Sequence, residues 1–575
     1  MPSPEGFDYL WYHRRRVPPY FDGSVAKQWL QYCEKYHSSS SCNAPERTPL
    51  EITLIDCITG EINLHDGSEA YVALSYVWGG VTQPPVQHGR IPLNPSAVIV
   101  DAIAVTQKIG FRYLWVDQYC INQTDPDIKK TQLSNMDLIY SQAEVTIVVA
   151  CGSDANCGLA GVGRARTSLP NYLAVNRDVE TISASSWSTR GWTFQEARLS
   201  RRLLCFTENQ CYWECRRMPY SEQMNLGAGV WKEPEAKGRQ FGFSLLDRTL
   251  PFGPRSHVSV QSESLISNPT TYLNAVCDLL AEYSWREISF DEDAVYAIMG
   301  VLKAVANQHI SPKSKTYRTS AILGLPLVLG NDSPTKASKR SLARALSWFH
   351  PSPGFCDDDD DDYYTYPARR QTFPSWIRAG WKGKIQFPRA KIWEERPGQC
   401  GTGFNFHPED AYFTNDRGCE RHTMIENVEY TTEATTLHFV APAIPSQWLS
   451  FDSNSSAGTC LLLDHECRLA LSERLCHSDF VEGIETGLYK LALLAVFEKP
   501  GVEFQGSILI LRQQGSQFVR SGIVIVEEDS GQGPLAREEQ DHVVPLFSSV
   551  RTARNLLNNI EALLLSAPNV HWEVS

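Results

Sequence analysis

One acidic side chain in residues 188–200, STRGWTFQEARLS, stands on a helix face that is otherwise apolar. Trp192 and Glu196 are four positions apart, so on a helix their side chains lie one above the other, and Leu199 continues that face. A carboxylate is costly to bury unless it is paired or has a chemical use. Glu196 is therefore a candidate catalytic residue. The alternative is a structural ion pair with a neighbouring arginine, namely Arg190, Arg198 or Arg201.

A second group of candidates ends the apolar run 71–80, YVALSYVWGG. The first four residues can be buried as a strand, and the polar, aromatic and glycine residues after them are typical of a strand end that a ligand approaches. In a doubly wound α/β sheet, ligands bind at this carboxyl edge. The glycine pair alone is a weak signal, because the P-loop lysine and the GxGxxG spacing are both missing. The candidate ligand-binding residues are Ser75, Tyr76, Trp78, Gly79 and Gly80.

A third stretch, 113–123 (YLWVDQYCINQ), ends another predicted strand with an acidic residue. Asp117 is the second candidate catalytic residue, and an N-cap or turn role is its alternative. Cys120 is a poor candidate nucleophile, because no histidine lies near it in the sequence and buried cysteines are common. The remaining candidate ligand-binding residues are Tyr119, Arg190 and Trp192.

Strands that alternate with helices over 71–215 predict a parallel α/β sheet, and 51–64 predicts a hairpin that leads into it. The later part of the sequence consists of short runs of alternating apolar and polar residues, separated by Gly, Pro and Asn. This pattern predicts an antiparallel β-rich domain, either a sandwich or a barrel. The predicted organisation is an N-terminal extension (1–50), the α/β domain (51–220), an excursion and helical extension packed on it (221–310), a linker with six consecutive aspartates at 357–362 (311–370) and the β-rich domain with a terminal helix at 553–565 (371–575).

Three helices are predicted between the strands of the α/β domain. The first begins with Asn94 as N-cap and Pro95 at the first helical position, and the second opens at Asp125 and Pro126. The third covers 185–200, so that Trp192 and Glu196 lie within one continuous helix.

Composition excludes several classes of protein. The 53 Lys and Arg against 66 Asp and Glu give a net charge of −13, which argues against a general binder of nucleic acid or anionic membranes. We find neither a signal peptide nor an apolar run of about 20 residues, so we expect a cytoplasmic protein without a membrane span. The 16 cysteines are then expected to be mostly reduced thiols.

Cys33, His37 and Cys42 are three potential zinc ligands near the N-terminus. No fourth ligand follows at a compatible spacing, which makes the signal weak. A short helix followed by a serine loop is the favoured interpretation, and no metal is predicted.

The three motifs together resemble the fungal heterokaryon-incompatibility (HET) domain. YVALSYVWGG, YLWVDQYCINQ with the following MDLIYSQAEVTIVVA, and RGWTFQE occur in the family's order over about 145 residues. The resemblance implies a trigger of programmed cell death when genetically different fungal cells fuse. It also implies a partner, either a second copy of the chain or an incompatibility protein.

The same motifs are similar, more remotely, to a Toll/interleukin-1 receptor (TIR) domain. The matching residues are Ser75 and Tyr76 at a strand end, and Trp192 and Glu196 on the third helix. Catalytic TIR domains cleave NAD at the nicotinamide bond with that glutamate, so this resemblance implies NAD as a substrate and no bound cofactor. A carboxylate stabilises the oxocarbenium-like ribose that forms when such a bond breaks.

Other residues would then contact the nucleotide. Trp78 or Trp192 would stack on a base, and the amides of Gly79 and Gly80 would meet phosphate oxygens. Two arginines in the loop after the third strand, Arg164 and Arg166, are further phosphate candidates, with a solvated basic loop as the alternative.

Two other functions remain open at this point. The first is a non-catalytic module for self-association or partner recognition, in which the motifs form core and interface. The second is an enzyme that uses the HET scaffold on a small metabolite, with a pocket lined by Trp78, Asp117, Tyr119 and Glu196.

Overall fold

The chain folds into two units, each with its own core. Unit 1 comprises Met1–Leu265 and Arg286–Val305, and unit 2 comprises Ile266–Trp285 and Ala306–Ser575. The computed structural model describes residues 17–37, 42, 49–81, 84–86, 88–166, 181–216, 219–223, 269–306, 317–330, 341–351, 367–388, 404–406, 409–414, 423–424, 434–451, 459–462, 465–472, 477–498, 504–527 and 567–575.

Unit 1 is built on a sheet of eight described strands. They are β1 (Ile52–Asp56), β2 (Ile62–His65), β3 (Tyr71–Ser75), β4 (Tyr113–Trp115), β5 (Val145–Val149), β6 (Arg202–Phe206), β7 (Cys211–Cys215) and β8 (Pro219–Ser221). Their order is β2-β1-β4-β3-β5-β6-β7-β8. The central strands β4, β3, β5 and β6 run parallel, and the outer pairs are antiparallel. The prediction of an α/β domain is confirmed, and its sheet contains a parallel centre. The sheet is mixed, however, because β7, within the range predicted to be parallel, runs antiparallel to β6.

The two strands that follow β3 in the sequence are added on opposite sides of it. The chain passes from β3 to β4 on one side and then returns to add β5 on the other side, which makes the carboxyl ends of β3 and β5 a topological switch point. Every residue of β3 and β5 is buried, which explains their unbroken apolar sequences. The fold thus places Ser75, the last residue of β3, at the edge where doubly wound sheets bind ligands.

The described helices with assigned bounds are α1 (Gly23–Tyr36), α2 (Ala97–Lys108), α3 (Asp117–Cys120), α4 (Pro126–Leu133), α5 (Met136–Gln142), α6 (Ser186–Thr189), α7 (Gly191–Leu199), α8 (Pro269–Ser284), α9 (Asp293–Ala306) and α10 (His477–Glu485). The predicted cap at Asp125 is confirmed, since its side chain accepts hydrogen bonds from the amides of Asp127 and Ile128. The predicted start of α2 was wrong. Asn94 precedes Pro95 and is therefore biased toward an extended backbone, so Ser96 is the N-cap.

The predicted third helix is two helices. Arg190 separates α6 from α7 with an extended backbone at φ −82° and ψ 145°. The amide of Gly191 donates to the carbonyl of Glu287 at 2.8 Å, and the amide of Glu287 donates to the carbonyl of Thr189 at 2.6 Å. A distant segment of unit 1 thus takes the place of the helical bonds at this break. Trp192 and Glu196 still share one helix, α7.

Unit 2 is β-rich, as predicted. Its described strands are β9 (Tyr317–Ile322), β10 (Leu325–Gly330), β11 (Ala368–Arg369), β12 (Trp381–Lys382), β13 (Phe404–Phe406), β14 (Glu409–Thr414), β15 (Thr423–Met424), β16 (Thr436–Ile444), β17 (Leu449–Ser450), β18 (Thr459–Leu462), β19 (His465–Leu471), β20 (Tyr489–Glu498), β21 (Phe504–Gln514), β22 (Gln517–Glu527) and β23 (Asn569–Val574). The pairings β16-β20-β21-β22-β23-β16 close on themselves, so this part of the sheet is a barrel.

The segment between the predicted domains departs from expectation in two places. Residues 311–370 are not a linker throughout, because they contain the β9-β10 hairpin and the buried Trp348, over which the Arg520 guanidinium lies at 3.6 Å. Helix α8, expected to pack on the α/β domain, belongs to unit 2, whereas α9 belongs to unit 1.

Three predicted features fall outside the described residues. They are most of the excursion at 222–265, the aspartate run at 357–362 and the terminal helix at 553–565. Within the described residues, the helices are too short or too polar to cross a bilayer.

Candidate functional site

The structure brings the two sequence motifs around Ser75 and Glu196 into direct contact. Ser75 ends β3, and its hydroxyl donates a hydrogen bond to the Oε2 atom of Glu196 on α7. The indole Nε1 of Trp187, on α6, donates to the Ser75 oxygen at 2.7 Å. Ser75 is 1% exposed and Glu196 is 6% exposed. The predicted meeting of the strand end with the glutamate helix is therefore present.

Burial favours the protonated, uncharged form of the Glu196 carboxyl. The low-polarity surroundings raise the pKa of this carboxyl from 4.5 to about 8, and the hydrogen bond from Ser75 opposes that rise. The negative charge of nearby Asp117 raises the pKa of Glu196 further. The Tyr140 hydroxyl donates to the Leu74 carbonyl at 3.1 Å and also interacts with the Glu196 carboxyl. At neutral pH the folded domain therefore holds Glu196 largely protonated.

The structural alternative for Glu196 was an ion pair with a nearby arginine. Arg201 instead pairs with Glu144 at 3.1 Å, and the Arg198 guanidinium lies over the Phe194 ring at 5.3 Å. Arg190 is half-buried, and its charge lowers the pKa of Glu196, although burial outweighs this effect. Within the described part of the chain, Glu196 makes no ion pair, and hydroxyl groups surround its carboxyl.

Asp117 lies in the first turn of α3, directly after β4. Its Oδ2 accepts a hydrogen bond from the indole Nε1 of Trp78 at 3.0 Å, and its Oδ1 accepts one from the Gln118 amide at 2.7 Å. Burial raises the pKa of this carboxyl from 3.8 to about 6. The Tyr76 hydroxyl donates to Gln118 Oε1 at 2.8 Å, which completes the link between the ends of β3 and β4. Asp117 thus has the predicted turn role and also lies within electrostatic range of Glu196.

The other predicted ligand-binding residues are held in different ways. Tyr119 is buried, and its hydroxyl has no hydrogen-bond partner among the described residues, a costly state for a buried polar atom. Trp192 is half-buried, and its indole donates to Asp293 of α9 at 3.0 Å. The Arg190 carbonyl accepts from the Arg286 guanidinium at 3.2 Å. Trp192 and Arg190 are therefore tied to the segment that includes α9.

Gly79 and Gly80 differ although both have a positive φ, 66° and 72°. A Cβ added at Gly79 would lie 2.1 Å from the Cβ of Asp154, whereas at Gly80 it would meet nothing within 4 Å. Gly79 therefore permits close approach of the 153–154 loop, a structural role that the sequence did not reveal.

We expect Gly79→Ala to destabilise unit 1 by about 3 kcal/mol or more, because a left-handed backbone conformation and an overpacked contact both penalise the new side chain. Gly80→Ala is the matched control. It meets only the backbone penalty and should cost about 1 kcal/mol. Urea unfolding of the two variants measures the difference, and equal losses would show that the contact with Asp154 is unimportant.

The loop arginines are engaged within the protein. Arg166 forms an ion pair with Glu222 at 2.8 Å, and both side chains are buried. Arg164 pairs with Glu208 at 2.8 Å at a half-exposed position. The phosphate role predicted for them is therefore not favoured. Cys120 is buried, and burial raises the pKa of its thiol to about 12, which agrees with its rejection as a nucleophile.

Sequence reasoning missed three partners of the site. Tyr140 lies in the apolar stretch MDLIYSQAEVTIVVA, where a tyrosine is usually part of the core, although its hydroxyl needs a partner when buried. Gln118 directly follows Asp117, and its backbone and side chain link the two strand ends. Trp187 precedes the RGWTFQE motif, and no spacing rule connects it to Ser75.

The part of the chain that matches a known protein family contains this site. Residues 71–196 match the family model described as heterokaryon incompatibility protein (HET), a range that begins with β3 and ends on Glu196. Residues 71–196 therefore form a HET domain. The HET domain thus spans the carboxyl-edge site from Ser75 to Glu196.

A curated relative supports the same assignment. Heterokaryon incompatibility protein 6, OR allele, of Neurospora crassa is 35% identical over 94 residues, which cover 14% of this chain and 14% of that protein. The chain therefore matches only a small part of the relative's length. No solved structure is significantly similar to this chain.

Proposed function

We propose that this protein acts in the cytoplasm as a cell-death effector of heterokaryon incompatibility, and that its HET domain cleaves NAD between nicotinamide and ribose. The family match and the Neurospora relative support the incompatibility role. The observation that supports catalysis is the state of Glu196. It is a buried acid at the carboxyl edge of a parallel sheet, held by Ser75 and without an ion-pair partner in the described residues.

Two acidic side chains, neither of which forms an ion pair with a described residue, favour a cationic ligand. The nicotinamide ring of NAD carries a positive charge, and a cation close to Glu196 and Asp117 would lower the pKa of both carboxyls and ionise them. The transition state is also cationic, since positive charge moves onto the ribose as the bond breaks. The ionised Glu196 would then stabilise the transition state more than it stabilises the bound substrate. This difference is the requirement for catalysis.

The proposed reaction consumes water. The bond between ribose C1′ and the nicotinamide nitrogen breaks, and its electron pair leaves with nicotinamide, which becomes neutral. Water adds its oxygen to C1′ to give ADP-ribose, and one proton is released. The Tyr119 hydroxyl, which has no hydrogen-bond partner among the described residues, and the half-buried Trp78 would supply a polar contact and a stacking surface to the bound dinucleotide.

The test is incubation of the purified full chain with NAD and chromatographic measurement of nicotinamide and ADP-ribose. It is carried out on dilute protein and on protein assembled at high concentration or by cross-linking. We expect both products in equal amounts. Their absence in every state would overturn the catalytic proposal.

A second function, recognition without chemistry, is favoured by one observation. Glu196 is only 6% exposed, and its carboxyl is hydrogen-bonded within the domain, so the domain is complete without a ligand. Such a module would act by binding a second copy or an incompatibility partner. Toxicity on expression that persists in Glu196→Gln but is lost in assembly-defective variants would support it. Identification of a different small molecule bound from cell extract would instead indicate a metabolic enzyme.

A further inference from the structure

Three thiols and one imidazole from separate parts of unit 1 meet in a buried cluster. Cys33 lies on α1, His37 caps that helix, Cys42 follows shortly after, and Cys215 ends β7. Their ligand atoms all lie within 4.8 Å of one another. Cys215 lies 178 positions from His37 in the sequence, which is why spacing alone gave only three of the four.

The arrangement has the dimensions of a tetrahedral metal site. Zinc binds sulfur at about 2.3 Å and imidazole nitrogen at about 2.0 Å, so neighbouring ligand atoms are separated by roughly 3.5 to 3.8 Å. The Nδ1 atom of His37 lies 3.4 Å from the Cys215 sulfur and 4.0 Å from the Cys42 sulfur. A contraction of at most about 1 Å between any two ligand atoms would bring the cluster to these distances.

The surroundings fit a negatively charged metal complex. Three thiolates and a neutral imidazole around a divalent zinc ion carry a net charge of −1. The Arg202 guanidinium donates through Nε to the Cys33 sulfur at 3.3 Å and through Nη2 to the Cys42 carbonyl at 3.2 Å. The neighbouring Arg201 donates to the same carbonyl at 3.4 Å. Outer hydrogen bonds of this kind orient metal ligands and balance their charge.

Neither simple core packing nor a disulfide accounts for the whole cluster. A buried cysteine is often part of the core, but core packing does not require three thiols around one imidazole nitrogen. A disulfide would use two of the sulfurs and leave the third thiol and the imidazole without a role, and none of the three cysteines forms a disulfide in this structure.

We propose that Cys33, His37, Cys42 and Cys215 bind one structural zinc ion. Four protein ligands leave no open position for substrate, so the ion does not take part in catalysis. It joins α1 to the antiparallel edge of the unit 1 sheet, where Trp29 of α1 already packs against Trp213 and Tyr220. Since the ligands come together only on folding, zinc binding contributes directly to the stability of unit 1. This proposal does not depend on NAD cleavage.

The metal content of the full chain, expressed with ample zinc, tests the proposal. We expect about one zinc ion per chain by plasma mass spectrometry, and a fall of at least tenfold in Cys215→Ala. Cys205→Ala is the matched control, because Cys205 is equally buried on the adjacent strand β6 and should retain the zinc. Zinc retained in a folded Cys215→Ala protein would overturn this ligand set.

A second measurement remains decisive if Cys215→Ala does not fold. The unsubstituted chain expressed with cobalt should show thiolate-to-cobalt charge-transfer and tetrahedral d–d absorption bands, and chelation should remove the bands and lower the unfolding temperature. Absence of both zinc and the cobalt bands would overturn the proposal. A disulfide among the three cysteines would also overturn it. It would appear as a chain mass lower by two hydrogen atoms when the metal-free protein is analysed as isolated.

Discussion

Glu196→Gln is expected to reduce the rate of NAD cleavage by about 10³-fold. The amide has nearly the shape of the carboxyl group and can still accept the hydrogen bond from Ser75. It cannot ionise, so it cannot balance the positive charge that develops on the ribose. Below pH 4.5, where the carboxyl is protonated in both the folded and the unfolded chain, the free energy of unfolding should change by no more than about 1 kcal/mol.

Initial rates of nicotinamide release measure this effect. Glu208→Gln is the matched control, since it makes the same chemical change in unit 1 at a half-exposed ion pair with Arg164. The control should lose less than about twofold. Turnover that survives in a folded Glu196→Gln protein would remove Glu196 from the catalytic role.

The second large effect is a pH dependence of stability with an uncommon sign. The pKa of Glu196 is raised on folding from 4.5 to about 8, so between these values the folded state keeps a proton that the unfolded state has released. The stabilisation is fully present below pH 4.5 and is lost as pH rises through about 8. This carboxyl alone should lower the free energy of unfolding by roughly 4 kcal/mol across that window. Asp117, whose pKa is raised to about 6, acts in the same direction.

A comparison with Glu196→Gln isolates the contribution of this carboxyl. Urea unfolding of unit 1 at pH 5 and pH 8.5 should show that the glutamine variant gains stability relative to the native chain as pH rises. The value of kcat/KM for NAD should rise with pH through about 8, because the free enzyme must ionise Glu196. A stability difference that is constant with pH would show that Glu196 has an ordinary pKa.

Local sequence patterns predicted the scaffold well, for physical reasons. The unbroken apolar residues of β3 and β5 reflect burial on both faces, and Asp125 caps α4 through its own neighbours. The break at Arg190 was missed because its cause is a backbone pairing with Glu287, which no local pattern reveals. Helix α8 was assigned to the wrong unit because its apolar face shows that it packs but not which core it joins.

The site was predicted in part. Glu196 stood out because a carboxylate on an apolar helix face is costly unless it has a partner or a use, and strand ends indicated Ser75 and Asp117. Tyr140, which interacts with the Glu196 carboxyl, and Trp187, which donates to Ser75, were missed because aromatic residues in apolar stretches are usually core. Gly79 was expected to contact phosphate, whereas its clearest constraint is the approach of Asp154.

Proton release on ligand binding tests the central claim most directly. A carbocyclic NAD analogue, in which a methylene group replaces the ribose ring oxygen, keeps the cationic nicotinamide but is not hydrolysed. Calorimetric titration at pH 7 in buffers of different ionisation enthalpy should show that close to one proton is released as the analogue ionises Glu196, and that the release is lost in Glu196→Gln. Binding without proton release, or release that is unchanged in Glu196→Gln, would contradict the proposal that this buried acid receives the nicotinamide cation.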